Sequence, residues 1–163
     1  MKIAVCSGSF DPVTNGHLDI ISRGARIFDK VIVAVLINSQ KQSLFSVEER
    51  VALLEKATAH LPNVQVDSFS GLLVRYMQEK GAHVILRGLR SHADFDYELP
   101  IAAANKHLDD QLETLFLLSS PEYAHISSSI VRELGRYGAS VAGLVPPAVE
   151  EALAQKFAEG QRS

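Results

Sequence analysis

The sequence contains a single cysteine, Cys6, and no apolar run long enough to cross a bilayer. One cysteine excludes an internal disulfide framework and suits a reducing compartment. Because Cys6 lies within a short apolar run, we expect a buried, inert thiol rather than a nucleophile. Spanning a bilayer takes about 20 consecutive apolar residues, and the apolar run at the N-terminus is too short for a signal peptide. These absences predict a cytoplasmic protein without a membrane partner.

Strong charge and several familiar motifs are also missing. The formal net charge of −3 gives no electrostatic reason to expect nucleic-acid binding. Neither GxxxxGK(S/T) nor GxGxxG occurs, which excludes a P-loop and a dinucleotide fingerprint. The six histidines are scattered without HExxH or another ligand spacing, so we assign no side chain to a metal.

The chain does carry a regular alternation of short β-branched runs and longer amphipathic runs. Hydrophobic residues make up 47% of it, enough for one domain, residues 1–163, to form a core without disulfides. We expect strands at Lys2–Cys6, Lys30–Ile37, Val64–Phe69, His83–Leu86 and Glu113–Leu118. We expect helices at Gly16–Phe28, from Ser46 to before Pro62, and at Leu72–Lys80, Ala93–Leu108, Ser127–Tyr137 and Pro147–Glu159. This order predicts an α/β fold: a doubly wound, Rossmann-like sheet of five parallel strands, with helices on both faces and a C-terminal helical extension.

Polar residues concentrate in the loops after the predicted strands, where doubly wound folds bind their ligands. The first loop, Gly8–His17, offers a hydroxyl at Ser9 and the start of a helix, whose free N–H groups and dipole favour a phosphate. The residues leave two interpretations open. One is a phosphate site with His17 as a donor; the other is a plain turn with Thr14 as N-cap and His17 on the surface. Composition alone favours the plain turn.

Three later segments are also open to two interpretations. Arg87 and Arg90 flank a glycine after a predicted strand and can form a fork for phosphate oxygens. The competing interpretation is an ion pair with Asp94 or Asp96, and we favour phosphate binding. A lone loop lysine such as Lys41 is usually solvated, and the serines at 127–129 can serve as a helix cap and nothing more.

A resemblance to a known family narrows these alternatives. Residues 14–17, TNGH, match the (H/T)xGH signature of the nucleotidyltransferase superfamily, and GSFDPVTNGHLDII resembles the bacterial phosphopantetheine adenylyltransferases. The resemblance extends from Met1 to about Pro146. Further matches are Lys41, Phe45–Arg50, Arg87–Arg90, Asp94–Glu98 and Ile126–Ser129, with Arg132 after the last. The sequence departs from the family at Gln42, Tyr123 and Pro100, where a proline inside a helix removes a hydrogen bond and bends the chain.

The resemblance implies an activity and a set of residues. The activity is transfer of the adenylyl group of ATP to 4′-phosphopantetheine, giving dephospho-coenzyme A and pyrophosphate in coenzyme A biosynthesis. Catalytic roles are implied for His17, Lys41 and Arg90. Phosphopantetheine contacts are implied for Ser9, Lys41, Leu73 and Arg87, with Leu72 and Asn105 as further candidates for the pantetheine groove. ATP contacts are implied for Ser9, Phe10, His17, Gly88, Leu89, Arg90, Glu98, Tyr123, Ala124, His125, Ile126, Ser127, Ser128 and Ser129. A homohexamer and feedback by coenzyme A are expected on the same ground.

The chemistry that this activity needs is positioning and charge neutralisation. A phosphate acceptor is already an anion near neutral pH, so we expect direct in-line attack on ATP without a covalent enzyme intermediate. Mg²⁺ is expected to arrive with the ATP phosphates rather than in a protein cage. Two rivals remain: a sister enzyme that uses glycerol phosphate with CTP or nicotinamide mononucleotide with ATP, and a nucleotide-binding sensor without turnover.

Overall fold

The computed structural model describes residues 1–160. Its strands are β1 (Ile3–Gly8), β2 (Lys30–Leu36), β3 (Val64–Phe69), β4 (Val84–Leu89) and β5 (Glu113–Leu118). Its helices are α1 (Asn15–Ile27), α2 (Val47–Thr58), α3 (Leu73–Lys80), α4 (His92–Leu108), α5 (Ser128–Arg136) and α6 (Pro147–Gly160), and a 3₁₀ turn occupies Pro121–Tyr123. None of these helices, within residues 1–160, is long and apolar enough to span a membrane.

The five strands form one sheet in the order β3-β2-β1-β4-β5, and every pairing is parallel. The chain moves outward from β1 through β2 to β3, then returns to place β4 on the other side of β1. The loops after β1 and β4 therefore diverge from the point where the strand order reverses, which is where doubly wound folds bind ligands. The predicted α/β fold is confirmed.

Alternate side chains of the central strands pack on opposite faces of the sheet. Val31, Val33 and Val35 belong to a core under α1, α2, α5 and α6, whereas Ile32 and Ala34 belong to a second core under α3. This period of two, with both faces apolar, is what a parallel strand covered by helices requires.

Strand β4 is longer than predicted. The sequence suggested an end at Leu86, but β4 continues to Leu89 because Arg87, Gly88 and Leu89 pair in register with Phe116, Leu117 and Leu118 of β5. Arg87 therefore projects from a paired strand rather than from a flexible loop. Gly88 allows α1 to lie close to β4, since a Cβ at this position would be 2.8 Å from Cγ1 of Ile20.

Helix α4 tolerates the proline that the sequence placed inside it. It runs without interruption from His92 to Leu108 with Pro100 in its interior. Its N-cap is Ser91, whose side chain accepts from the backbone N–H of Asp94 at 3.2 Å. Glu98 consequently remains on a regular helix and is buried.

Candidate active site

A cavity of about 400 Å³ opens at the carboxyl ends of β1 and β4. The starts of α1 and α5 also border it, so two helix N-termini face the same space. Of the residues singled out from the sequence, the cavity lining contains Ser9, Phe10, His17, Lys41, Arg87, Gly88, Arg90, Glu98, Ile126, Ser127, Ser128 and Ser129. Segments far apart in the chain thus converge as the fold predicts.

Some of the residues singled out from the sequence lie elsewhere. Leu73 packs against the core on the α3 side of the sheet, and Leu89 is buried at the end of β4. Neither lines the cavity, nor do Tyr123, Ala124, His125, Leu72 and Asn105. Tyr123 and Ala124 belong to the 3₁₀ turn and its end, which sequence periodicity did not predict. Contacts of these residues with ATP or an acceptor stay predictions.

His17 is held by a reciprocal capping box at the start of α1. The side chain of Thr14 accepts from the backbone N–H of His17 at 3.3 Å, and the backbone N–H of Thr14 donates to Nδ1 of His17 at 3.0 Å. The interpretation of Thr14 as N-cap is therefore confirmed, but His17 is half-buried rather than on the surface. The capped turn also brings His17 to the cavity lining, and phosphate binding by this loop stays a prediction.

The protonation of His17 follows from its surroundings. Burial, together with the charges of Arg87 and Arg90, lowers the pKa of His17 from 6.5 to about 4. The imidazole is therefore neutral near pH 7. Because Nδ1 accepts a hydrogen bond, the ring proton resides on Nε2. His17 thus offers a neutral N–H donor whose protonation state does not change across the physiological pH range.

The first loop is fixed by bonds to its backbone carbonyls. Arg50, which is buried, donates from Nη1 to the Ser9 carbonyl at 2.9 Å. Arg132 donates to the Asp11 carbonyl at 2.6 Å, and the Ser128 hydroxyl donates to the Pro12 carbonyl at 2.8 Å. These bonds connect the loop to α2 and α5, so the loop is an ordered part of the cavity wall.

Asp11 joins the first loop to the second, and the sequence reasoning missed it. Its carboxylate accepts from the backbone N–H groups of Leu44 and Phe45, each at 2.9 Å, and it is 5% exposed. The segment after Lys41 is thereby tied to the loop that carries Ser9 and His17. The sequence did offer one signal for this role, since Asp11 is the acidic residue of the Gly8–His17 loop.

Arg87 forms a bidentate ion pair with Glu98. Nη2 is 2.6 Å from Oε1 and Nε is 3.1 Å from Oε2, while Nη1 donates to the Ser7 carbonyl. The resemblance implies different substrates for these two residues, and their pairing was not predicted. Since a strand and a helix hold the two groups together, the guanidinium plane is fixed at the cavity wall.

Arg90 is also paired with a carboxylate. Its Nε is 3.2 Å from Oδ2 of Asp94, the ion pair that we had set aside in favour of phosphate binding. It also donates from Nη1 to the Ile126 carbonyl at 2.9 Å. Its side chain is nevertheless 40% exposed and lines the cavity, so the ion pair and access to a ligand coexist.

Lys41 and the α5 serines complete the lining. Lys41 is exposed, and within residues 1–160 its ammonium group makes no ion pair. Ser127 caps α5 by accepting from the Ile130 N–H at 3.2 Å, as the capping interpretation predicts. The serines also line the cavity, so both interpretations of this segment are compatible.

Cys6 behaves as the sequence predicts, although it borders the cavity. The residue is 8% exposed, and burial, only partly opposed by the charge of Arg87, raises the pKa of its thiol to about 11. A thiol that stays protonated at neutral pH is a poor nucleophile.

Two comparisons with known proteins bear on the fold and the family of this chain. A crystal structure of a proposed nicotinate-nucleotide adenylyltransferase from Vibrio parahaemolyticus has the same fold, with a TM-score of 0.74 and 20% sequence identity. The match covers 95% of this chain and 93% of that one. The model of the cytidylyltransferase-like family matches residues 5–134, which is well over half of the chain and includes every segment around the cavity. The chain therefore belongs to the cytidylyltransferase-like family.

Proposed function

We propose that this protein transfers the adenylyl group of ATP to 4′-phosphopantetheine, giving dephospho-coenzyme A and pyrophosphate. The proposal rests on one observation: the neutral His17 donor, Lys41 and Arg90 all line the same cavity. Binding a nucleotide alone does not require three donors of this kind at one place. The family match supports nucleotidyl transfer, and the resemblance of the GSFDPVTNGHLDII segment supports the particular substrates.

The proposed reaction is one in-line displacement. An oxygen of the acceptor phosphate forms a bond to the α-phosphorus of ATP, while the bond from that phosphorus to the bridging oxygen breaks and pyrophosphate leaves. The acceptor is already an anion, so no general base is needed. His17 Nε2–H donates to a non-bridging oxygen as charge develops, and Lys41 and Arg90 neutralise the phosphates. Such fixed donors act most strongly in the transition state.

The N-terminus of α5 suits the ATP phosphates. In α5 the first turn contains no acidic residue, so its N–H groups and dipole favour an anion. Ser127, Ser128 and Ser129 line the cavity with Arg90, and we propose that they contact the same phosphates. The rings of Phe10 and His17 form an edge-to-face pair, with 5.0 Å between centroids, which limits the positions that the imidazole can take.

For the acceptor phosphate we propose Arg87 as the principal contact. Its bidentate bond to Glu98 orients the guanidinium before any substrate arrives, and Ser9 and Lys41 lie in the same lining. Glu98 then acts on the acceptor side through Arg87, in addition to the ATP contact that the resemblance implies. Contact of the pantetheine arm with Leu73 requires that the arm extend beyond the cavity.

The residues present fit a magnesium ion that is carried by the nucleotide. The cavity carboxylates already accept from protein donors: Asp11 from two backbone N–H groups, Asp94 from Arg90 and Glu98 from Arg87. Within residues 1–160, no three His, Cys, Asp or Glu side chains are grouped to hold a metal. We therefore propose that Mg²⁺ binds to ATP phosphates and water, where it supplies charge neutralisation.

One assay with several acceptors tests the proposal. The protein is incubated with Mg²⁺ and ATP plus 4′-phosphopantetheine, nicotinate mononucleotide or nicotinamide mononucleotide, and with CTP plus glycerol phosphate; released pyrophosphate is measured. We expect release with 4′-phosphopantetheine. Release only with another acceptor would assign the chain to a sister reaction, and no release with any acceptor would indicate a nucleotide sensor.

Replacing His17 tests the assigned catalytic role. In His17→Ala we expect kcat to fall by about 10²- to 10³-fold while the Kd for ATP, measured by calorimetry, stays nearly constant. Equal losses of kcat and of ATP affinity would show that His17 serves ground-state binding instead.

Assembly and regulation are proposed on the resemblance alone. We propose a homohexamer and inhibition by coenzyme A. Sedimentation equilibrium would check the first, since a monomer of 17.8 kDa is easily distinguished from a hexamer. Pyrophosphate release at increasing coenzyme A concentrations would check the second.

A further inference from the structure

Two hydrogen bonds connect the start of α1 to a distant part of the chain. Asn15 is the first residue of α1 and lies between Thr14 and Gly16. Its backbone N–H donates to the Leu144 carbonyl at 2.9 Å, and its side-chain Nδ2 donates to the Gly143 carbonyl at 2.9 Å. One residue is thus held at two adjacent carbonyls, which fixes both its position and its orientation.

The carbonyls belong to a hydrogen-bonded turn. The Leu144 N–H donates to the Val141 carbonyl at 3.0 Å. Gly143 has a φ of 79°, the left-handed conformation that the third position of a type II turn requires. Val141, which begins this turn, and Val145, which directly follows it, are buried in the main core.

The segment around this turn is also anchored to elements other than α1. Val149 and Leu153 of α6 are buried in the same core. Lys156 of α6 pairs with Glu49 of α2 at 3.0 Å, and its ammonium group lies 5.5 Å from the centroid of the Phe45 ring. The segment also lies beyond residue 134, where the match to the family model ends.

We infer that Asn15 is a positioning residue, through which the C-terminal segment 141–160 fixes the start of α1 and the imidazole of His17. The inference rests on the proposed function for its effect on turnover. Asn15 acts through Thr14 and His17 and needs no contact with substrate. A shift of the first turn would alter the Thr14 N–H···Nδ1 bond and the direction of Nε2–H together, because both belong to the capping box.

Asn63 provides a matched control. Its Nδ2 donates to the Ala25 carbonyl at 2.8 Å and to the Phe28 carbonyl at 3.2 Å, so the same kind of bond secures the other end of α1. Asn63 does not line the cavity. A purely structural contribution to helix anchoring would therefore give Asn15→Ala and Asn63→Ala the same kinetic behaviour.

The experiment compares these two variants and Gly143→Ala by steady-state kinetics, urea unfolding and ¹⁵N NMR of the histidine rings. We expect Asn15→Ala to lower kcat by about 10- to 100-fold with little change in the KM for ATP, and Asn63→Ala to leave kcat unchanged. We also expect the His17 ring resonances to move in Asn15→Ala and not in Asn63→Ala. Gly143→Ala, which strains the turn but retains Asn15, should shift kcat and the His17 resonances in the same direction.

Two outcomes would overturn the inference, and a third would separate it from the proposed function. Unchanged His17 resonances in both Asn15→Ala and Gly143→Ala would overturn the inference, whatever the activity. Equal losses of kcat in Asn15→Ala and Asn63→Ala would also overturn it. If the unmodified protein releases no pyrophosphate with any acceptor but Asn15→Ala still displaces the His17 signals, the proposed function fails while the positioning role stands.

Discussion

The backbone N–H of Thr14 donates to Nδ1 of His17 at 3.0 Å, and this bond decides which ring nitrogen of His17 is a donor. A histidine that accepts at Nδ1 carries its proton on Nε2. Since the charges of Arg87 and Arg90 add to burial in lowering the pKa of His17 to about 4, the imidazole keeps this one form at neutral pH.

The first prediction concerns this protonation state. Two-dimensional ¹⁵N NMR of the protein should show His17 as the neutral Nε2–H tautomer from pH 5 to pH 8, with its titration centred near 4. The other histidines serve as internal references in the same spectrum. A His17 midpoint near 6.5 would contradict the expected burial and the effect of the two arginines.

The second prediction is a pH dependence of stability. In the unfolded chain His17 takes up a proton as the pH falls through about 6.5, whereas in the folded protein it does so only near 4. Between these values the unfolded state binds more protons, so the free energy of unfolding should decrease as the pH falls. Urea unfolding from pH 7 to pH 4 should give a shallower decrease for His17→Asn. Parallel curves for the two proteins would show that His17 does not contribute.

The third prediction concerns the Arg87–Glu98 ion pair. The two side chains are 31% and 10% exposed, so Glu98→Gln leaves a partly buried guanidinium without its charged acceptor. We expect the free energy of unfolding to fall by about 1–3 kcal/mol. Glu113→Gln is the control, because the Lys106–Glu113 pair is 46% and 66% exposed and should contribute about 0–1 kcal/mol. Equal effects of the two substitutions in urea unfolding would count against a structural role for the Arg87–Glu98 pair.

The fourth prediction concerns the link between the first two loops. Asp11→Asn preserves shape but leaves one oxygen for the N–H groups of Leu44 and Phe45. We expect a loss of about 1–3 kcal/mol in the free energy of unfolding and faster amide exchange at Leu44 and Phe45. Asp29→Asn, which alters an exposed acceptor of the Lys2 N–H, is the matched control. Unchanged exchange at Leu44 and Phe45 would show that Asp11 does not tie the Lys41 segment to the first loop.

Much of the fold could be predicted because local sequence and tertiary structure agree. The Ser46 and Glu49 side chains form the capping box that their spacing indicates, and Gly81 ends α3 in the left-handed conformation. Strand β4 was predicted too short because Arg87 and Gly88 have low strand preference. Their pairing with β5 is a tertiary contact that overrides this preference.

The site was predictable in its location but not in its pairings. Strand order brings Arg87, Arg90 and His17 to one sheet edge, as the alternation of elements implies. Which carboxylate each arginine pairs with depends on distances across the cavity. Residue spacing in the sequence does not give these distances, so the pairing of Glu98 with Arg87 was not predicted. The roles of Asp11 and Asn15 were missed for the same reason, since their partners lie 33 and 128 residues away.

The close approach of α1 to β4 links two positions that are far apart in sequence. A methyl group at position 88 would lie 2.8 Å from the Ile20 side chain, and Ile20 lies one turn after His17 on the same helix. Enlarging residue 88 therefore requires a smaller residue at 20, or the imidazole is pushed away from the arginines. Among homologous sequences we expect substitutions at 20 and 88 to be correlated, with the summed side-chain volume held nearly constant.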